Sequence, residues 1–322
     1  MKFRTEIEKI SWKSPIEYSS HILSLGSCFA ERISSMLEER KFRVTPLPTG
    51  ILFNPASIAQ SLNLMASRHK VSKEELFEVD GRWLSYNFHS SLSAATPEEA
   101  MAEMQGAIER GGEALDSATH LIITLGTAWI YRLRESGAVV ANCHKQPASM
   151  FSRELLSVES IVEMLQPVCE SFKGDIILTV SPVRHVGEGL ADNSLSKAIL
   201  RVAVDTLQRQ YPERVSYFPA YEIVIDDLRD YRFYAEDLVH PSQMAVEYIG
   251  EKFFEVALSA NSKAVMSRVE RIVQATKHRA LNPHSESYKR FCRQQLDAIE
   301  QIKGVDLSKE KQFFDTMLQI NL

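Results

Sequence analysis

Five short aliphatic runs, at 21–25, 42–47, 119–125, 175–180 and 215–219, alternate with stretches of helix-forming residues and constrain this 322-residue chain more than any other feature. Leu121-Ile122-Ile123-Thr124-Leu125 and Asp175-Ile176-Ile177-Leu178-Thr179-Val180 are apolar almost without interruption, the mark of strands covered on both faces. Strands alternating with helices specify a mostly parallel five-stranded sheet between two helical layers, a flavodoxin-like α/β/α sandwich. In such sheets ligands bind beyond the carboxyl ends of the strands. Ser27, Gly126-Thr127 and Ser181-Pro182 each follow a strand end, so the pattern converges them on one edge.

Helical periodicity is read over 30–40, 55–70, 97–115, 153–172 and 194–210, the third opened by Thr96-Pro97-Glu98-Glu99, where a cap, a proline and an acidic first turn agree. Two insertions interrupt the alternation, near 80–95 and 129–150. The first reads as an added strand or ordered loop, the second as a hairpin turning at Ser136-Gly137. The α/β domain is expected over 1–258 and a C-terminal helical extension over 259–322, broken at Asn282-Pro283-His284-Ser285. Residues 263–293 hold eight Lys/Arg and two Glu. A solvated helix face accounts for such a run; a homodimer contact or a lid over the site are the sharper readings.

Ser27 stands at the junction of the first strand and its helix, where unpaired N–H groups and the helix dipole favour negative charge. On the local sequence alone, the N-cap is the favoured reading. Far downstream, Asp237 and His240 are three residues apart before another helix, whose first turn Pro241 is expected to open. A tight turn there would let the carboxylate fix the imidazole tautomer and leave the second nitrogen to take a hydroxyl proton.

Gly26-Ser27-Cys28-Phe29-Ala30 matches the motif of the GSCFA family, and the resemblance continues through Thr49 to Pro55, Thr124 to Trp129, Asn142 to Lys145, Ser181 to His185 and Asp237-x-x-His240-Pro241-Ser242. It covers roughly residues 20–257. The family resembles the SGNH/GDSL hydrolases, which carry a serine nucleophile after the first strand and an Asp-x-x-His late in the domain. The resemblance implies Ser27 as nucleophile with His240 and Asp237. It also implies an oxyanion hole made by the N–H groups of Ser27 and Gly50. A third-block asparagine would complete that hole, but Gly126-Thr127-Ala128 lacks it, and Asn54 or Thr127 are the expected substitutes. Cys28 is a lesser candidate nucleophile, because a helix N-terminus can lower a thiol pKa.

His89 and His144 fall in the insertions, and Arg184 and His185 follow a strand end. All four are candidate substrate-binding residues; for Arg184 and His185 a loop role hydrogen-bonded to backbone is the alternative. No metal site is expected, since the four cysteines form no Cys-x-x-Cys pair, and no nucleotide cofactor, since no phosphate-binding glycine loop is present. A net charge of −5 argues against nucleic acid as a partner. Charges interleaved through the first nine residues argue against a secretory signal, and no apolar run reaches membrane-spanning length, so a cytoplasmic location without membrane partners is expected. The expected activity is hydrolysis of an O-acyl ester of a small molecule or carbohydrate. An acyltransferase with the same triad, or a catalytically silent carbohydrate-binding or interaction module, are the alternatives.

Overall fold

The computed structural model describes residues 4–319 apart from 9, 11, 279, 280 and 283. Along the chain β1 (His21–Gly26) leads to α1 (Cys28–Glu39), β2 (Arg43–Pro46) and α2 (Pro55–Ala66). The first insertion is a hairpin, β3 (Phe77–Val79) and β4 (Arg82–Leu84), before α3 (Pro97–Ser117) and β5 (His120–Leu125). The second holds β6 (Trp129–Leu133), β7 (Val139–Val140) and β8 (Phe151–Leu155), followed by α4 (Val158–Ser171), β9 (Asp175–Val180), α5 (Leu190–Gln210) and β10 (Val215–Phe218). A short helix, α6 (Ala220–Glu222), runs into a π-helical turn at Ile223–Leu228, and α7 (Gln243–Ala257) completes the α/β unit. Helices α8 (Ala260–Lys277), α9 (Glu286–Glu300) and α10 (Ser308–Gln319) follow.

The central sheet has the order β10-β9-β5-β1-β2 with every pairing parallel. All six residues of β1 and of β5 are buried, as the unbroken apolar runs require of strands covered twice. Leu25, Ile123 and Leu178 pack toward α2, α4 and α5. Ile22, Ile122 and Ile177 pack toward α1 and α7 on the opposite face. Alternate residues of one strand thus fill two cores, the period-2 consequence of the pleat.

Two local readings change. Residues 153–157, read as helix, instead continue the second insertion: β8 pairs antiparallel with β6, and α4 begins only after Ser157 caps it. Serine's hydroxyl offers the first-turn N–H of Ser160 a partner and fixes the start there. Pro241 does not open α7; Ser242 caps it, and Pro241 instead bridges Tyr234 across the preceding loop. The expected break at 282–285 falls between α8 and α9, with Pro283 itself outside the described residues.

The C-terminal helices have their own core, centred on Val269, Ile272, Cys292 and Phe314. They dock where α1 ends and β1 begins. Arg40 pairs with Glu270 at 2.8 Å and Lys41 with Glu310 at 2.6 Å, while Ser259 and Ser262 donate to Glu17 at 2.8 and 2.6 Å. Residues 17 and 40–41 lie at the amino end of the sheet, so these helices are a base under the strands. The reading of them as a lid over the carboxyl edge is overturned. Among the described residues no helix is long and apolar enough to cross a membrane.

Candidate active site

The β1–α1 junction is built by a tight turn. Gly26 has φ +133°, and a Cβ there would come 2.2 Å from the Thr124 carbonyl oxygen, so only glycine lets β1 run this close to β5 at its end. Ser27 follows in extended geometry as the N-cap of α1, its Oγ accepting the Phe29 N–H at 3.3 Å. Its own N–H donates to the Thr124 carbonyl at 3.1 Å, and the residue is 0% exposed. Cys28, the first residue of the helix, is half-buried and faces the carboxyl-edge cleft described below. Burial pushes its thiol pKa up and the Glu31 charge adds to this, opposed by its own backbone N–H and by the positive charge of Lys197.

The Asp237–His240 turn is folded by main-chain bonds from Ala235 to His240 and from Leu238 to Ala235, with Leu238 at φ +56°. Asp237 Oδ2 meets His240 Nδ1 at 2.7 Å, and Oδ1 accepts the Val239 and His240 N–H groups at 2.9 and 3.0 Å. The imidazole bond first, and these two N–H groups next, hold the Asp237 carboxyl down at about 2. An ionised carboxylate on Nδ1 selects the tautomer whose Nε2 carries a lone pair. The pairing read from an i,i+3 spacing is therefore present in the fold.

A cleft of about 440 Å³ lies at this edge. Phe53 and Asn54 come from the β2–α2 loop, and Thr127, Trp129, Tyr131, Asn142 and Cys143 from the second insertion. Val183, Arg184 and His185 come from the loop after β9, Cys28 from α1 and His240 from its turn. Arg184 stacks its guanidinium 3.9 Å from the Tyr234 ring centroid and gives its N–H to the Val239 carbonyl at 3.1 Å, so it braces the His240 turn. His185 packs edge-on against Phe53, and its Nε2 is buried with no hydrogen-bond partner among the described residues. Burial above all, then the charges of Lys197 and His240, lower its pKa to about 4. The ring is neutral at pH 7.

The expected oxyanion donors are placed differently. The Gly50 N–H is held by the Leu47 carbonyl at 2.8 Å and the Ser27 N–H by Thr124; Gly50 lies outside the cleft, where a Cβ on it would come 2.3 Å from the His89 Cβ. Main-chain groups at a strand end satisfy one another before any ligand arrives. Gly126 and Thr127 both donate their N–H to the Phe53 carbonyl, at 2.7 and 2.9 Å. Thr127 Oγ1 is in hydrogen-bond contact with Ser196 at 3.0 Å. Asn54 lines the cleft and caps α2, its Oδ1 accepting the Ser57 N–H at 2.8 Å. Asn142 does the same for His144. With Oδ1 accepting from a backbone N–H, the planar amide leaves its NH₂ as the donor end of each side chain.

His89 and His144 stand away from the cleft. His89 caps a 3₁₀ turn through Nδ1, and His144 is buried among Phe77 and Tyr86 with Nε2 bonded to the Ser85 carbonyl at 2.9 Å. His144 thus ties the second insertion to the first, and His89 caps a turn inside its own insertion.

Lys197 escapes a motif search. It is 1% exposed, and Nζ donates to the carbonyls of Gly126 at 2.6 Å and Ser181 at 2.7 Å, clamping the ends of β5 and β9. The available signal was its place on the buried stripe of α5, with Asn193, Ser196, Leu200 and Val204: an ammonium on the apolar face of a helix must find oxygen partners.

A model described as the GSCFA family matches residues 21–253, the whole sheet and all of the cleft. A second, described as the C-terminal domain of GSCFA domain proteins, matches residues 269–320. No curated protein matches the chain.

Proposed function

The chain belongs to the GSCFA family, and on that premise we propose that it is an acyl-transfer enzyme of SGNH hydrolase type that cleaves an O-acyl ester. One observation carries this reading: an ionised, three-times hydrogen-bonded carboxylate orients an imidazole on the wall of a cleft that also receives the N-terminus of α1. His240 acts as general base on the nucleophile of the Ser27-Cys28 step and then protonates the leaving alcohol. Asp237 holds the ring and stabilises the imidazolium that forms. Negative charge on the carbonyl oxygen is met by the Asn54 amide and by the positive end of α1. Trp129, Tyr131 and Phe53 supply a wall suited to the apolar face of a sugar or an acyl chain.

His240 is half-exposed, which admits water or an acceptor hydroxyl equally, so acyl transfer to a second alcohol is the companion reading. Product analysis with sugar acceptors separates the two. For the main reading, the purified chain should release p-nitrophenol from short-chain acyl esters and His240→Ala should not. Equal release by both proteins would remove the turn from catalysis.

A further inference from the structure

We propose that the nucleophile is Cys28 rather than Ser27, and that the acyl group passes through a thioester. The proposal rests on the acyl-transfer reading and deepens it. Ser27 and Cys28 are adjacent, yet the turn at Gly26 sends them to different places. Ser27 is fully enclosed, its Oγ turned to the Phe29 N–H and its N–H to Thr124. To attack, it would have to leave the cap, losing about 1 kcal/mol, and swing out of a filled core. Cys28, by contrast, is half-buried on the wall of the cleft that His240 also lines.

The surroundings match a thiol that is neutral at rest and ionised only on demand. Burial keeps its proton on, so a base is required, and the Asp237–His240 pair on the same cleft supplies one. The N-terminus of α1 and the Lys197 charge then favour the thiolate as it forms. In the first step His240 Nε2 takes the thiol proton, Sγ bonds to the acyl carbon, and the ester C–O bond breaks as the alkoxide takes that proton back. In the second, water gives a proton to His240 and its oxygen bonds to the acyl carbon. The C–S bond breaks, and the thiol recovers the proton.

Cys143 lines the same cleft, so the test must tell three groups apart. The full-length chain is acid-quenched during turnover of p-nitrophenyl acetate and the acetyl group mapped on peptides, alongside steady-state rates of Cys28→Ala, Cys28→Ser and His240→Ala. Acetyl on Cys28, removable by neutral hydroxylamine, is expected, with a fall of at least about 10³-fold in Cys28→Ala. If that variant does not fold, the near-isosteric Cys28→Ser must show at least about 10²-fold. Acetyl on Ser27 or Cys143, or a Cys28→Ala rate within about threefold of wild type (under 0.7 kcal/mol), overturns the thioester; a silent His240→Ala in that case still upholds acyl transfer. Turnover unaffected by His240→Ala overturns both.

Discussion

Helix α1 joins the two ends of the sheet, and the ends are built on opposite terms. At its N-terminus lie Ser27, Cys28 and an open cleft whose walls include a buried imidazole nitrogen without a hydrogen-bond partner among the described residues. At its C-terminus Arg40 and Lys41 are tied by ion pairs to α8 and α10, and Tyr18 stacks on Phe42 at 4.2 Å. One end is closed by packing and matched charge; the other keeps polar groups in an apolar setting without covering them. Such unspent polarity costs stability and is the usual companion of a working site. On the proposed acyl-transfer reading the site lies at the carboxyl edge, and the C-terminal helices pack at the other end of the sheet.

The largest effect that would break this contrast is on turnover. His240→Ala should lower kcat/KM on an acyl ester by about 10²–10⁴-fold with its melting temperature unchanged, because the side chain is half-exposed; an active variant would leave the cleft without a base. Next in size, Lys197→Met should cost about 2–4 kcal/mol in urea unfolding, since it strips the Gly126 and Ser181 carbonyls of a buried donor. A shift of the midpoint no larger than that of a surface lysine would mean the clamp is unimportant.

The third effect is on pH. His185 has a folded pKa of about 4 against an ordinary 6.5. Below pH 6.5 the unfolded chain binds a proton that the folded chain refuses, so stability is full above that value, declines on acidification and levels off near pH 4. The loss reaches up to about 3 kcal/mol. His21, His89, His120 and His144 are lowered in the same direction by burial and add to the slope. Urea curves at pH 7.5 and 5 for wild type and His185→Gln measure the share of His185, and identical slopes would assign it none.

Smaller again, Ser27→Ala should lower stability by about 1 kcal/mol through the lost cap, read from the thermal midpoint. The smallest effect belongs to the other end. Glu270→Gln should cost under about 1 kcal/mol and leave ester turnover as it was. A change in rate there would show that the two ends communicate through α1.

The strands, the order of helices and the Asp237–His240 pair were legible in the sequence, because each depends on neighbours a few positions away. The unbroken apolar runs of β5 and β9, a cap three residues before the N–H it accepts from and an i,i+3 turn are short-range features. The oxyanion donors were not legible: whether the N–H of Gly50 or Ser27 is free depends on the Leu47 and Thr124 carbonyls, which the turns at Gly26 and Gly50 bring into reach. Nor was β8, whose only reason to be extended is the long-range pairing with β6, since strand identity is set by the partner more than by the residues themselves.

By itself, the chain's pattern of apolar runs decided that a parallel sheet would form and which residues would stand at its carboxyl edge, because hydrophobic burial acts on periodicity alone. Tertiary structure decided which of two adjacent residues, Ser27 or Cys28, faces the cleft, how Lys197 ties two strand ends together, and that the C-terminal helices lie beneath the sheet. Those outcomes turn on contacts between residues tens to hundreds of positions apart, whose geometry exists only once the chain has closed on itself.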